Sequence, residues 1–108
     1  MSAGGPISAA DVLAFWRAAG PAKWFKKDAT FDAEIAQRFS ALWQQAAAGS
    51  PPAWEDTPEG ALALVILLDQ FPRNMFRADA RAFANDATAR AVADRAITRG
   101  FTAGWVAR

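Results

Sequence analysis

The chain has 108 residues, of which 53% are hydrophobic and 21% are charged, and a formal net charge of +1. These values predict one globular domain over residues 1–108, and the near-neutral charge makes nucleic acid an unlikely partner. Because the chain contains no cysteine and no histidine, thiolate chemistry, Ser-His-Asp catalysis and zinc sites with Cys or His ligands are excluded.

The composition favours helices over strands. Alanine is abundant and β-branched residues are scattered, which predicts an all-α fold. The longest apolar run, residues 61–68, is far shorter than the ~20 residues that cross a membrane. Residues 1–6 have neither the basic nor the apolar region of a signal peptide. We therefore expect a cytoplasmic protein with no membrane partner, no cofactor and no metal ion.

The first helix is predicted to begin after Ser8, because Asp11 completes a capping box, and to end at Gly20-Pro21. Its buried stripe is predicted to be Val12, Leu13 and Trp16. Residues 23–27 are interpreted as a linker in which two aromatic side chains lie between lysines. That pattern suits contact with a nucleic-acid strand, but three lysines are few, and aromatic cover for the helix ends is the favoured interpretation.

A second helix follows, with Asp28 or Thr30 as its cap. Glu34 and Arg38 lie one turn apart and are expected to pair on its outer side. Residues 49–52, Gly-Ser-Pro-Pro, should end it. Its apolar stripe has a helical period, with Trp43 beside it, and comprises Phe31, Ile35, Phe39, Leu42 and Ala46.

The third helix carries the apolar run and is predicted to be the central one. Thr57 as cap and Pro58 at the first helical position favour a helix over a buried strand. Because the segment is apolar on all sides, it should be covered on several faces. Pro72 is expected to end or kink the helix at Phe71, since proline disfavours α geometry in the residue before it.

The fourth helix is predicted over about residues 80–99, with Gly100 just beyond its end. Asp86, Arg90 and Asp94 alternate in sign one turn apart and are expected on the solvent side. Two neighbouring apolar stripes are predicted, one of Phe83, Ala87 and Ala91 and one of Val92, Ala96 and Ile97.

Five polar residues crowd the end of the third helix: Asp69, Gln70, Arg73, Asn74 and Arg77. One interpretation is structural, with Arg73 neutralising Asp69 and Gln70 bonding the carbonyls that proline leaves unpaired. The other is a ligand site, in which the two arginines grip a carboxylate or phosphate and Asp69 acts as a base. The sequence leaves both open.

Several of these segments together resemble a bacterial family known as domain of unknown function 924. The resemblance lies in residues 12–16, 24–28 and 54–60 and in the signature Leu-Leu-Asp-Gln-Phe-Pro-Arg-Asn at 67–74. It implies an all-α fold of antiparallel helical hairpins similar to tetratricopeptide repeats, and no established activity. Members of the family continue into further helices with a His-containing segment, so this chain would be the N-terminal part of a longer family domain.

Two main functional hypotheses follow. The first is a scaffold that binds a protein or peptide without catalysis, as stacked helix pairs often do. The alternative is a small-molecule binder or enzyme acting on an anionic substrate at Asp69, Gln70, Arg73 and Asn74. A third possibility is self-association through a helix face left uncovered after four helices. No catalytic residue can be named from the sequence.

Overall fold

The computed structural model describes residues 7–24, 28–48, 54–77 and 79–103, and no strand occurs within them. The predicted all-α fold is therefore confirmed. The elements are α1 (Ala9–Ala19), α2 (Pro21–Trp24), α3 (Ala29–Ala47), α4 (Pro58–Val65), a π-helical turn (Ile66–Gln70), α5 (Phe71–Met75), a 3₁₀ turn (Ala80–Phe83) and α6 (Asp86–Thr98). The likeness to tetratricopeptide hairpins stays a prediction.

The elements α4, the π turn and α5 run on without a break, and we call residues 58–75 the central helix. It begins as predicted, because Thr57 Oγ1 accepts a hydrogen bond of 3.0 Å from the Gly60 N–H. Helices α1 and α6 pack on its first half and α3 packs on its second half. Its buried apolar residues include Ala61, Ala63, Leu64, Ile66, Leu67, Leu68 and Phe71.

Of the two outcomes expected from Pro72, an end of the helix at Phe71 is wrong. Phe71 keeps α geometry, with φ −60° and ψ −40°, and its N–H bonds to the Ile66 carbonyl five residues back. A π turn is wider than an α turn. It therefore gives the ring of Pro72 room in a ladder to which proline cannot donate, and the chain stays helical to Met75.

The starts of α1 and α3 follow the predicted capping chemistry. The capping box is present, with Ser8 N–H donating to Asp11 Oδ2 at 2.8 Å and Asp11 N–H donating to Ser8 Oγ at 3.2 Å. Asp28 caps α3, whereas Thr30 lies inside it. Val12, Leu13 and Trp16 are buried in α1, as predicted.

The buried stripe of α3 differs from the prediction at one position. Trp43 takes the buried place and Leu42 is only partly covered. The indole of Trp43 donates to Asn85 Oδ1 at 3.0 Å, so this ring ties α3 to the start of α6. The predicted helix stop at 49–52 lies outside the described residues.

Part of the predicted linker is helical, which corrects the sequence interpretation. The short helix α2 includes Lys23 and Trp24. The Trp24 ring stacks on Trp16 with centroids 5.1 Å apart, and its Nε1–H donates to the Trp16 carbonyl at 2.6 Å. This stacking covers the end of α1, and it favours helical structure where composition suggested a loop. Residues 25–27 lie outside the described residues.

The predicted fourth helix is divided in two. A 3₁₀ turn covers Ala80–Phe83, and α6 begins at Asp86. The break changes the direction in which residues before it point relative to those after it. The predicted apolar stripe of Phe83, Ala87 and Ala91 is therefore wrong, and Phe83 is 59% exposed. Of the neighbouring stripe, Ile97 is also exposed. The buried residues of α6 are Ala89, Val92 and Ala96.

The end of α6 follows the prediction for Gly100. This residue has φ 76°, the left-handed conformation that glycine tolerates best. Its N–H bonds to the Ile97 carbonyl at 3.0 Å, and the Phe101 N–H bonds to the Ala96 carbonyl at 2.9 Å. These two bonds are those of a Schellman motif, so Gly100 ends the helix by satisfying its last carbonyls.

Candidate functional site

The structure divides the five predicted site residues into two groups. Asp69, Gln70 and Arg73 form one group with Asp86 of α6. The second group consists of Asn74 and Arg77, which bind Asp32 of α3. The two arginines therefore belong to separate ion pairs and do not converge on one point.

In the first group a single guanidinium joins two helices. Arg73 Nη1 donates to Asp69 Oδ1 at 2.7 Å and to the Asp69 carbonyl at 2.5 Å. Its Nη2 donates to Asp86 Oδ2 at 3.1 Å. The central helix is thereby attached to the start of α6. The structural interpretation expected Gln70 to bond a helix carbonyl, but its amide donates to Asp69 Oδ2 at 2.5 Å, and it has no bond to a carbonyl among the residues that the structure describes.

Sequence reasoning missed Asp86, which was expected on the solvent side. Its side chain is only 30% exposed because it faces Arg73. An available signal was its place in the first turn of α6, where the helix dipole favours a carboxylate. Asp86 lies 13 residues after Arg73, so the spacing of residues along one helix did not predict their pairing.

A pocket of about 260 Å³ opens beside this first group. It lies between the central helix and α6, and its polar lining consists of Asp69, Arg73, Asp86 and Arg90. Asp86 Oδ1 is buried and has no hydrogen-bond partner within the described parts of the chain. Arg90 is exposed and forms no ion pair with any residue that the structure describes.

The second group fastens the central helix to α3. Asp32 Oδ1 accepts from Asn74 Nδ2 at 2.9 Å, and its Oδ2 accepts from Arg77 Nε at 2.5 Å. The hydrogen bond to Asp32 raises the pKa of Arg77 above its usual value. Asn74 is 5% exposed, and its burial requires such a partner. Asn74 and Arg77 do not line the pocket beside Arg73.

A second concave surface lies elsewhere, between α1 and α3, and we call it the groove. Its volume is about 440 Å³. The rings of Phe15 and Phe31 stack on its floor with centroids 5.4 Å apart and planes 2° apart. Ala14 and Ala18 are exposed and lie one turn apart on its α1 side. The backbones of α1 and α3 stand apart here, and side chains bridge them.

Charged side chains held in place form the rim of the groove. Arg38 lies over the Phe15 ring, with its guanidinium carbon 4.8 Å from the ring centroid, and pairs with Glu34 at 3.7 Å, as predicted. Lys23 lies over Phe31, with Nζ 6.0 Å from the ring centroid. Asp11 is also on the rim. The hydrogen bonds from Ser8 hold the pKa of Asp11 below its usual value, with a smaller effect from Arg38.

The family model described as "Bacterial protein of unknown function (DUF924)" matches residues 12–107. The chain belongs to this family. The resemblance found in the sequence is thus confirmed. The segment that carried its signature, residues 67–74, forms most of the π turn and α5. No protein with a curated description matches the chain.

A solved structure of a protein of unknown function from Agrobacterium tumefaciens is similar to this DUF924 chain. The two share 49% sequence identity and superpose with a TM-score of 0.82. The match covers 86% of this DUF924 chain and 53% of the Agrobacterium chain. This chain therefore spans about half the length of that relative.

Two kinds of feature, a helix that could cross a membrane and a group of metal-binding side chains, are not found in the described part of this DUF924 chain. None of its helices combines the length and the apolar character needed to cross a membrane. Within the same residues, no three Asp or Glu side chains lie where they could hold a metal ion together.

Proposed function

We propose that this protein is a helical scaffold that binds a peptide segment of a partner protein in the groove. The observation that carries the proposal is the open groove of about 440 Å³ between α1 and α3. Its floor is aromatic and its rim carries ordered charges. Segments that form an amphipathic helix bind to grooves of this kind through their apolar face.

The floor and wall of the groove suit a closely packed partner. Phe15 is only partly buried in this chain, so a partner gains apolar contact by covering it, at roughly 25 cal/mol for each Å² removed from water. Ala14 and Ala18 are exposed on the same face of α1. Their small side chains let the backbone of a partner come close to α1.

The rim of the groove favours binding over catalysis. Its two carboxylates already have partners: Asp11 accepts the Ser8 N–H in the capping box, and Glu34 pairs with Arg38. General bases in proteins are most often His, Glu or Asp side chains within hydrogen-bond reach of the proton that they remove. With these partners in place the rim positions and orients a ligand rather than moving protons.

The substitution Ala18→Arg is expected to weaken peptide binding at least tenfold, because a long charged side chain would fill the groove; tenfold corresponds to about 1.4 kcal/mol. Binders would be selected from a displayed library of helical peptides on the wild-type chain. Their Kd values would then be measured by fluorescence anisotropy on wild type and variant.

The matched control is Ala41→Arg, which adds the same side chain at an exposed position of α3 that does not line the groove. Peptides selected on the wild-type chain should bind the Ala41→Arg variant with the same Kd as the wild type. The proposal fails if the library yields no saturable binder, or if the binders have the same Kd for Ala18→Arg as for the wild type.

A second candidate function is the binding of a small anionic molecule in the pocket beside Asp69 and Arg73. The observation that favours it is the opening of about 260 Å³ with Arg90 on its rim. Asp69 and Asp86 take three of the five N–H donors of Arg73 and neutralise its charge, so Arg90 is the cation more available to an anion. The pocket lies apart from the groove, and the two candidates can be tested separately.

A thermal-shift screen with anionic metabolites tests this candidate. A ligand at about 100 times its Kd adds about 2.7 kcal/mol to the stability, which would raise the Tm of a chain of this size by about 10 °C. Arg90→Ala should abolish the shift, while Arg17→Ala on α1 should leave it unchanged. No shift with any anion, or a shift that persists in Arg90→Ala, would contradict the candidate.

A further inference from the structure

The carboxylates that line the pocket beside Arg73 carry more negative charge than this arginine neutralises. Asp69 Oδ1 and Asp86 Oδ2 both accept from its one guanidinium, at 2.7 and 3.1 Å. Neither carboxylate forms another ion pair among the residues that the structure describes. Two carboxylates on one guanidinium leave one net negative charge at this side of the pocket.

Asp86 has capacity for one more hydrogen-bond donor. Its Oδ1 is buried and has no partner within the described parts of the chain, and each oxygen of a carboxylate can accept two hydrogen bonds. The side chain as a whole is 30% exposed, and rotation about its last torsion, which is broad and two-fold, exchanges the two oxygens. A buried acceptor without a donor costs free energy, so an N–H supplied by a ligand would remove that cost.

Arg90 brings a positive charge to the same pocket. It follows Asp86 by one turn of α6, and both residues line the pocket. Arg90 forms no ion pair with Asp86 or with any other described residue. Arg73, by contrast, is held between its two carboxylates and the ring of Phe83, whose centroid lies 5.1 Å from its guanidinium carbon. The pocket therefore presents an excess negative charge and a separate, unpaired positive charge.

The rest of the lining is aliphatic and the space is small. Val65, Ala89 and Ala93 complete the pocket, whose volume is about 260 Å³. Pockets that hold drug-sized molecules measure roughly 300–1,000 Å³. The pocket therefore suits a small metabolite with a short aliphatic part.

We propose that this pocket binds a free amino acid with a small aliphatic side chain, its ammonium group donating to Asp86 and its carboxylate bound by Arg90. The inference rests on the second candidate function above, because it keeps an anionic group at Arg90, and it specifies the class of ligand. Each charge of the zwitterion then meets an opposite charge. A simple anion would leave the buried oxygen of Asp86 unpaired, and a simple amine would leave Arg90 unpaired.

Isothermal titration calorimetry with three compounds that share one isopropyl group tests the inference. L-Valine carries both charged groups, isovalerate lacks the ammonium group, and isobutylamine lacks the carboxylate. L-Valine is expected to bind the wild-type chain at least tenfold more tightly than either analogue, because each analogue loses a charge-assisted hydrogen bond and tenfold corresponds to only about 1.4 kcal/mol.

Two variants assign the two groups of the ligand. Asp86→Asn should weaken the binding of L-valine at least tenfold and leave that of isovalerate unchanged, whereas Arg90→Ala should weaken both. Asp94→Asn is the matched control, because Asp94 is an exposed carboxylate of the same helix and does not line the pocket. Circular dichroism checks that each variant folds, and the comparison of the three compounds on the wild-type chain needs no variant.

The outcomes separate this inference from the candidate function on which it rests. If isovalerate binds as tightly as L-valine and its binding is lost in Arg90→Ala, the amino-acid inference is wrong and the anion candidate stands. The inference is also overturned if L-valine does not bind, if isobutylamine binds equally well, or if L-valine binds both Asp86→Asn and Arg90→Ala with the wild-type Kd.

Discussion

Replacing Phe71 by alanine is expected to lower the free energy of unfolding by about 3–5 kcal/mol, the usual cost of removing a buried aromatic ring. Phe71 is fully buried where the π turn meets α5. Its ring centroid lies 4.8 Å from that of Phe39, 5.7 Å from that of Trp16 and 6.1 Å from that of Phe15. One substitution therefore leaves a cavity shared by the central helix, α1 and α3.

Urea denaturation followed by far-ultraviolet circular dichroism measures the loss. Phe83→Ala is the matched control, since its ring is 59% exposed and surface substitutions seldom change stability by more than about 0.5 kcal/mol. Equal losses in the two variants would contradict the position of Phe71 at the centre of the core.

Gly60→Ala is expected to destabilise the protein by about 3 kcal/mol, at the upper end of the cost of overpacking. Helix propensity alone predicts the opposite, a gain of roughly 0.5–1 kcal/mol from alanine in place of glycine. In this structure a Cβ at position 60 would overlap the carbonyl oxygen of Trp54 and lie 2.9 Å from Thr57 Oγ1. Because the obstacle is partly backbone, a rotamer change cannot relieve it.

The same denaturation experiment tests this prediction. Gly100→Ala provides the comparison, because a Cβ there meets open space and the cost is the left-handed backbone alone, about 1–2 kcal/mol. A Gly60→Ala variant as stable as the wild type, or more stable, would show that the start of the central helix is not packed against Trp54.

The core around Phe71 and the floor of the groove share one ring. Phe15 contacts Phe71 in the core, and the same ring forms part of the floor of the groove. Its stacking on Phe31 gives the groove a floor that is set by the core. A partner would therefore meet a preformed surface, and little ordering of side chains would oppose binding.

Local chemistry made most of the helices predictable. The caps at Ser8, Asp28 and Thr57 and the glycine at position 100 act within a few residues of themselves, so a short window of sequence contains the whole interaction. The central helix was predictable for a related reason. A segment that is apolar on all sides has to be covered by its neighbours.

The sequence-based predictions failed in two situations. In one, the decisive contact joins residues that are far apart in the sequence. In the other, a local backbone geometry, here a π turn, forms where a different one was expected. Pro72 was expected to end or kink the helix at Phe71, but the chain stays helical through a π turn, and a regular pattern of residues does not reveal such a turn. The five polar residues at the end of the central helix are adjacent in the sequence, but the structure does not bring them together as one cluster. Their division into two groups depends on Asp32 and Asp86, which no local spacing connects to them.

The sequence by itself determined the all-α class, the family, the central position of residues 58–71 and the location of the five polar residues, because caps, periodicity and a specific signature are local properties. Only the tertiary structure decided that Asp86 meets Arg73 and that Asp32 meets Arg77, and only it created the groove between α1 and α3. Those features arise from the relative placement of helices, which is set by the packing of Phe15, Phe31 and Phe71 rather than by any one segment.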